Sequence, residues 1–410
     1  MINGADTAWL LISGALVLFM TPGLALFYGG MVRAKSALNM MMMSFSAIGV
    51  TTIIWVLYGY SLAFGKDHNG FIGSFSHLGL GNTLSGTFGT DGHQVPTLAF
   101  AMFQLTFAII TVALLSGAIA DRVKFSSWIV FVAAWISIVY VPVSHWVFAP
   151  GGWISNQLHA LDFAGGTVVE INSGASALAL VLVIGKRTGF KRDPMRPHNL
   201  PLVLLGAGIL WFGWFGFNGG SALTSGALAS TAVINTQIAA AAAAISWVLA
   251  ERIRDGKATT LGVASGAVAG MVAITPACGF VNPFASLIIG LVSGALSSWA
   301  VALKYKFNYD DSLDVVGVHG VSGLFGMLAI GLFATTTVNA AGANHSLALL
   351  EKQAIASIAV AAFSFFATLA LAKFIQSSIG FRSKLEDEST GLDQTYHAET
   401  AYDFSSISIR

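Results

Sequence analysis

Residues 162–187 read DFAGGTVVEINSGASALALVLVIGKR, a membrane span with an acid inside it. Between the pair Gly165-Gly166 and the closing Lys186-Arg187 lie about twenty mostly apolar residues, the length a helix needs to cross a bilayer. Glu170 sits near the outer third of that run. Hydrocarbon disfavours a charged side chain by about 3 kcal/mol or more, so an acid at that depth faces a bundle interior or an aqueous path. A second apolar segment carries an imidazole: His319, within Val315-Val-Gly-Val-His-Gly-Val-Ser-Gly323. We expect Glu170 and His319 to meet in a pore.

Composition supports a chain built for lipid. Of 410 residues 55% are hydrophobic, only 10% are charged and 45 are Gly, which describes a polytopic membrane protein rather than a large soluble domain. The formal net charge of +1 gives no electrostatic case for nucleic acid or an acidic partner. A single cysteine, Cys278, excludes an internal disulfide, so helix packing through Gly, Ala and Ser must hold the fold. The sequence has no His/Cys metal spacing, Gly-rich phosphate loop or Gly-x-Ser-x-Gly elbow, so no metal, cofactor or enzyme activity is expected.

Apolar runs between polar breaks predict an all-α integral membrane fold with eleven spans. They lie near 8–31, 38–64, 97–119, 125–147, 164–185, 199–218, 228–250, 260–277, 283–303, 314–334 and 350–374. The first carries Asp6 but no leading Lys or Arg, and it runs on through Thr21-Pro22-Gly23, so it reads as a retained span rather than a signal peptide. Alternate loops, counted from an external N-terminus, hold eighteen of the twenty Lys and Arg; the other loops hold only Lys66 and Lys352. Because such residues stay on the cytoplasmic side, the N-terminus is expected outside and the tail from about 376 inside.

Five spans precede the loop Lys191–Pro197 and five follow it, which is the arithmetic of an inverted repeat with halves at about 8–185 and 199–334. Glu170 and His319 then occupy equivalent positions, each followed four residues later by Gly, at Gly174 and Gly323. The eleventh span has no counterpart and should lie across the outside of the 1–375 transmembrane domain. Residues 376–410 form a separate tail whose Lys, Glu, Asp, Ser and Thr cannot bury themselves without a partner surface. The outer-loop residues His68, His77 and His93 read as solvated.

Glu170 and His319 could simply be a structural hydrogen bond stitching two halves together. Small neighbours, Ser173, Gly174, Gly317 and Gly320, favour a channel instead, in which the pair can accept and pass a proton as a coupled unit. Asp162 reads either as an anchor for backbone N–H groups or as a direct cation contact. Phe103 and Phe107, one helical turn apart, offer aromatic faces to a small cation, and Ser221 could add a hydroxyl acceptor.

Several motifs carry a family resemblance. Thr21-Pro-Gly-Leu-Ala-Leu-Phe-Tyr-Gly-Gly30, Leu161-Asp-Phe-Ala-Gly-Gly166, Pro197-His-Asn-Leu-Pro201, Gly213-Trp-Phe-Gly-Phe-Asn218, Thr275-Pro-Ala-Cys-Gly279 and Asp314-Val-Val-Gly-Val-His-Gly320 together resemble the microbial Amt branch of the Amt/Mep/Rh ammonium transporters. The resemblance implies a homotrimer in the cell (inner) membrane, each protomer carrying its own pore for ammonium and, in some members, methylammonium. It makes Phe107 and Phe217 the gating phenyl rings, Phe103 and Ser221 parts of the outer recruitment site, and Asp162 the acid that shapes that site. Gly391-Leu-Asp393 and Tyr396-His-Ala-Glu-Thr-Ala-Tyr402 are similar to the bacterial tail segment that contacts the protomer undersides and responds to PII-type (GlnK-like) regulators.

Two departures stand out. Glu170 replaces the first of the usual two pore histidines, as in some fungal Mep members. Phe148 stands where the recruitment site usually has Trp, with Trp146 as the other candidate. The resemblance also leaves two neighbouring activities, an ammonium sensor with low flux and a passive gas channel of the Rh type.

Overall fold

The computed structural model describes residues 1–402. Ten of its helices are long and apolar enough to cross a membrane. In chain order the helices are α1 (Gly4–Met31), α2 (Ala34–Phe64), α3 (Thr97–Ala118), α4 (125–148), α5 (Gly166–Ile184), α6 (Leu200–Gly220), α7 (Ala227–Asp255), α8 (Thr260–Ile274), α9 (Pro283–Ala300), α10 (Val316–Phe333) and α11 (Leu347–Ser378). Ten of the expected spans coincide with these ten long helices, and the expected span at 260–277 coincides with a shorter apolar helix. The helix at the eighth position, α8, has 15 residues and is shorter than the others. Two small helices follow in the tail, α12 (Leu385–Thr390) and α13 (Leu392–His397). The loop after α2 folds into two short antiparallel hairpins, β1 (Asp67–His68) with β2 (Ile72–Gly73) and β3 (Thr87–Phe88) with β4 (Val95–Pro96).

Local sequence explains where the helices begin. Asn3, Asn199, Thr259, Asn282 and Ser346 each cap a helix by accepting a backbone N–H three residues on, and Pro201 and Pro283 sit in the first turn, where no N–H is missed. In lipid the helix satisfies its own backbone, which is why these boundaries are sharp. Outward-facing Ile53, Leu57, Leu182, Leu205 and Ile245 are exposed, as lipid-facing positions should be.

α1 runs along α6 and α3, α7 packs between α8 and α9, and α11 lies on α5. Trp135 fixes α11 to the bundle: its indole N–H donates to Thr368 Oγ1 at 2.9 Å and to Ser176 Oγ at 3.2 Å. The basic loops gather at one end of the bundle. There Arg187 makes a forked pair with Asp310 at 2.8 and 2.9 Å, Arg33 meets Asp121 at 3.0 Å, and Arg122 donates to the carbonyls of Ala118, Ala120, Gly185 and Asp310.

The tail finds its burying surface on this same end of its own chain. Glu388 accepts from Arg382 and from the N–H and hydroxyl of Thr188, while the Asp393 carboxylate caps α2 through the N–H groups of Leu38 and Asn39 at 3.0 and 2.7 Å. The remainder of the expected tail, 403–410, lies outside the described residues, as does Arg410 of the charge count. Two of the loop histidines are partnered: His77 Nδ1 lies 3.1 Å from Gly81 O and its ring packs on Tyr60, and His93 Nδ1 lies 2.8 Å from Asp6 Oδ2 with half of its side chain still exposed.

Candidate pore

α5 and α10 begin alike. Each opens in a wide π turn, Gly166–Ile171 and Val316–Gly320, a feature frequent at functional sites. Each is preceded by an acid that caps it. Asp162 Oδ2 accepts from the N–H of Thr167 at 2.7 Å, and Asp311 Oδ2 from the N–H of Val316 at 2.7 Å. The other Asp162 oxygen takes the N–H groups of Gly165 and Gly166, so both its oxygens are used in anchoring backbone. Gly165, at φ +111°, makes that turn without the strain a side chain would incur.

The offset of 149 residues that relates Asp162 to Asp311 also relates Glu170 to His319. It extends to the packing. A Cβ on Gly174 would fall on the Gly320 backbone, and one on Gly323 would meet Glu170 Cβ and the backbone N of Ile171, the reciprocal contact. The two π turns therefore cross at close range, and their side chains converge: His319 Nδ1 lies 2.7 Å from Glu170 Oε2. Glu170 is fully buried, His319 is 4% exposed, and among the described residues Glu170 Oε1 has no hydrogen-bond partner.

The pair faces a narrow cavity whose other walls are apolar, including Leu24, Leu114, Leu210, Trp214 and Val268. Its volume open to a water-sized sphere is about 10 Å³, close to the threshold for a single water. Phe217 belongs to the lining and stacks on Phe107 with ring centroids 4.1 Å apart. Phe103 meets Phe107 edge-on at 4.8 Å and Phe148 meets it edge-on at 6.3 Å.

Of the three expected recruitment residues, Phe148 and Ser221 are partly exposed while Phe103 is 1% exposed and sits under Gly220. Ser221 donates its hydroxyl to Phe217 O at 2.8 Å, which leaves its lone pairs as acceptors. Trp146 is turned elsewhere: it donates to Phe71 O and packs on Phe363 of α11, so Phe148 is the aromatic beside the ring pair. Sequence reading overlooked Asp311 as the counterpart of Asp162, although the eight-residue spacing to the pore residue is the same in both halves.

The sequence profile described as Ammonium Transporter Family matches residues 8–402. The chain belongs to the ammonium transporter family. It is 52% identical to the "Ammonium transporter" of Mycobacterium tuberculosis, over 98% of this chain and 91% of that one, and 49% identical to that of Bacillus subtilis, over 97% and 98%. Among solved structures, Candida albicans Mep2 is similar at 34% identity with a TM-score of 0.87, over 94% of this chain and 88% of that one. A "Sensor Amt Protein" is similar at 28% identity with a TM-score of 0.89, over 96% and 98%. The chain is thus a multi-pass membrane protein that transports ammonium, a transporter and not an enzyme.

Proposed function

We propose that ammonium is taken up by deprotonation. Phe148 and Ser221, backed by Phe103, recruit the cation at the outer mouth. It gives up its proton at the Phe107–Phe217 gate, and neutral ammonia crosses the apolar cavity. Glu170 and His319 carry the proton, so transport is electrogenic, while Asp162 shapes the outer site by fixing the start of α5. The single observation behind this reading is the 2.7 Å contact of His319 Nδ1 with Glu170 Oε2 in a cavity too narrow for a hydrated ion. Moving a bare cation through such apolar walls costs far more than moving ammonia.

The same proposal includes eleven membrane helices in a 1–375 domain. The repeat halves, 8–185 and 199–334, are supported by the shared 149-residue offset. It includes a homotrimer in the inner membrane with the N-terminus outside, supported by the gathering of the basic loops at the opposite end. The tail from 376, docked on that end, is then the place for a PII-type regulator. Methylammonium is a second substrate.

Currents on solid-supported membranes test the mechanism. An ammonium jump should evoke a current in the parent, and Glu170→Gln should abolish most of it at nearly constant side-chain volume. An unchanged current and pH profile in the variant would reject the relay. Uptake with no current in the parent would favour passive gas conduction, and binding with no uptake a sensor.

A further inference from the structure

Outside the pore, one buried acid ties together three segments that are distant in sequence. Asp6, in the first turn of α1, is 2% exposed. Its Oδ1 accepts the N–H of Ser225 at 2.7 Å and the Ser225 hydroxyl at 3.0 Å, and its Oδ2 meets His93 Nδ1, from the β3–β4 hairpin, at 2.8 Å. Ser225 closes the turn after α6, whose first residue is Ser221. That turn contains Leu223 at φ +56°, a left-handed conformation that a side chain disfavours and that persists only where surroundings hold it. At the same point Gly220 lets the Phe103 ring close on the backbone; a Cβ there would lie 2.7 Å from Phe103 Cε2.

We propose that Asp6 is a positioning residue for the outer ammonium site, clamping the strained turn that carries Ser221, with His93 as its second partner. The inference rests on the recruitment role given to Ser221 above. Asp6 touches no substrate and acts only through the turn. His93 has a half-exposed side chain and Asp6 a buried one. The other ionisable groups on these segments are Asp91, exposed in the same hairpin, and the Met1 amino group, which donates to Gln94 Oε1; the turn 221–226 has none. The His93 contact braces the second carboxylate oxygen of Asp6 against the hairpin.

The test is the half-saturation concentration for ammonium-evoked current, read separately from the maximal current. Asp6→Asn keeps an acceptor for Ser225 but loses the anion. We expect its half-saturation to rise about three- to tenfold, the loss of one charge-assisted hydrogen bond, with maximal current unchanged. Ser225→Ala, which deletes only the hydroxyl contact, should give a smaller rise of the same sign and serves if Asp6→Asn does not reach the membrane. In a Ser221→Ala background Asp6→Asn should add nothing, because it acts through that residue.

A half-saturation unmoved by both Asp6→Asn and Ser225→Ala overturns the clamp while leaving recruitment by Ser221 intact, provided Ser221→Ala raises it. A half-saturation unmoved by Ser221→Ala removes the recruitment role and the clamp with it.

Discussion

His319 Nδ1 and Glu170 Oε2 stand 2.7 Å apart, each at the crossing of two π turns and each supplied by a different half of the chain. The second glutamate oxygen is buried and, among the described residues, unpaired. A buried acceptor left without a partner costs about 1–3 kcal/mol, which fits a group kept for handling a proton rather than for stability. Two groups that share one task lose it together. Glu170→Gln and His319→Gln should therefore each reduce ammonium-evoked current by about a hundredfold, and the double variant should be no worse than either alone. Additive losses in the current measurement would mean that the two side chains act independently.

The Phe107–Phe217 stack, at 4.1 Å between centroids, is tighter than the contacts Phe107 makes with Phe103 and Phe148. Phe107→Ala should cost about 3–5 kcal/mol of stability, since Phe107 is almost fully buried, and should open the mouth to larger ions. A potassium-driven current without ammonium is the expected sign. Its absence in well-folded Phe107→Ala protein would assign the barrier elsewhere.

At the basic end Arg187 is fully engaged by Asp310. Burial raises the Asp310 carboxyl, but Arg187 and Arg122 outweigh it and hold the group below the usual range. Asp310→Ala leaves the buried Arg187 guanidinium with only the longer 3.8 Å contact to Asp121, a loss of about 3 kcal/mol. The melting temperature in detergent should fall markedly more than for Asp193→Ala, whose partner Arg192 is solvent-exposed.

Asp311 behaves in the opposite sense. Burial, helped by the nearby Asp314, pushes its carboxyl up from 3.8 to about 6. The folded chain then binds more protons than the unfolded one between about pH 4 and pH 6, so this group's contribution to stability is fully present below that window and is lost as pH rises through it. The change amounts to about 3 kcal/mol at most. Asp311→Asn should flatten the dependence of melting temperature on pH across that window. An unaltered slope would place the titration on another group.

Hydropathy and charge pattern were enough for the membrane class, the positions of the ten long apolar helices, the clustering of positive charge and the pairing of Glu170 with His319. These were readable because lipid makes each span a local problem. A helix must satisfy its own backbone and match the bilayer, so hydropathy and length decide it without reference to the rest of the chain. The pairing was accessible for a related reason: two ionisable residues inside apolar spans have few other partners to find.

Only the tertiary structure decided which faces meet. It put Phe148 rather than Trp146 beside the ring pair, buried Phe103 beneath Gly220, matched Asp311 to Asp162, and seated the tail on its own chain through Glu388 and Asp393. It also joined His93 to Asp6 across 87 positions. None of these follows from periodicity, because each depends on the close approach of segments far apart in sequence, as where Gly174 lies against Gly320. The same apolar helices could pack at other angles, and small residues together with a few buried charges select the one arrangement in which the pore exists.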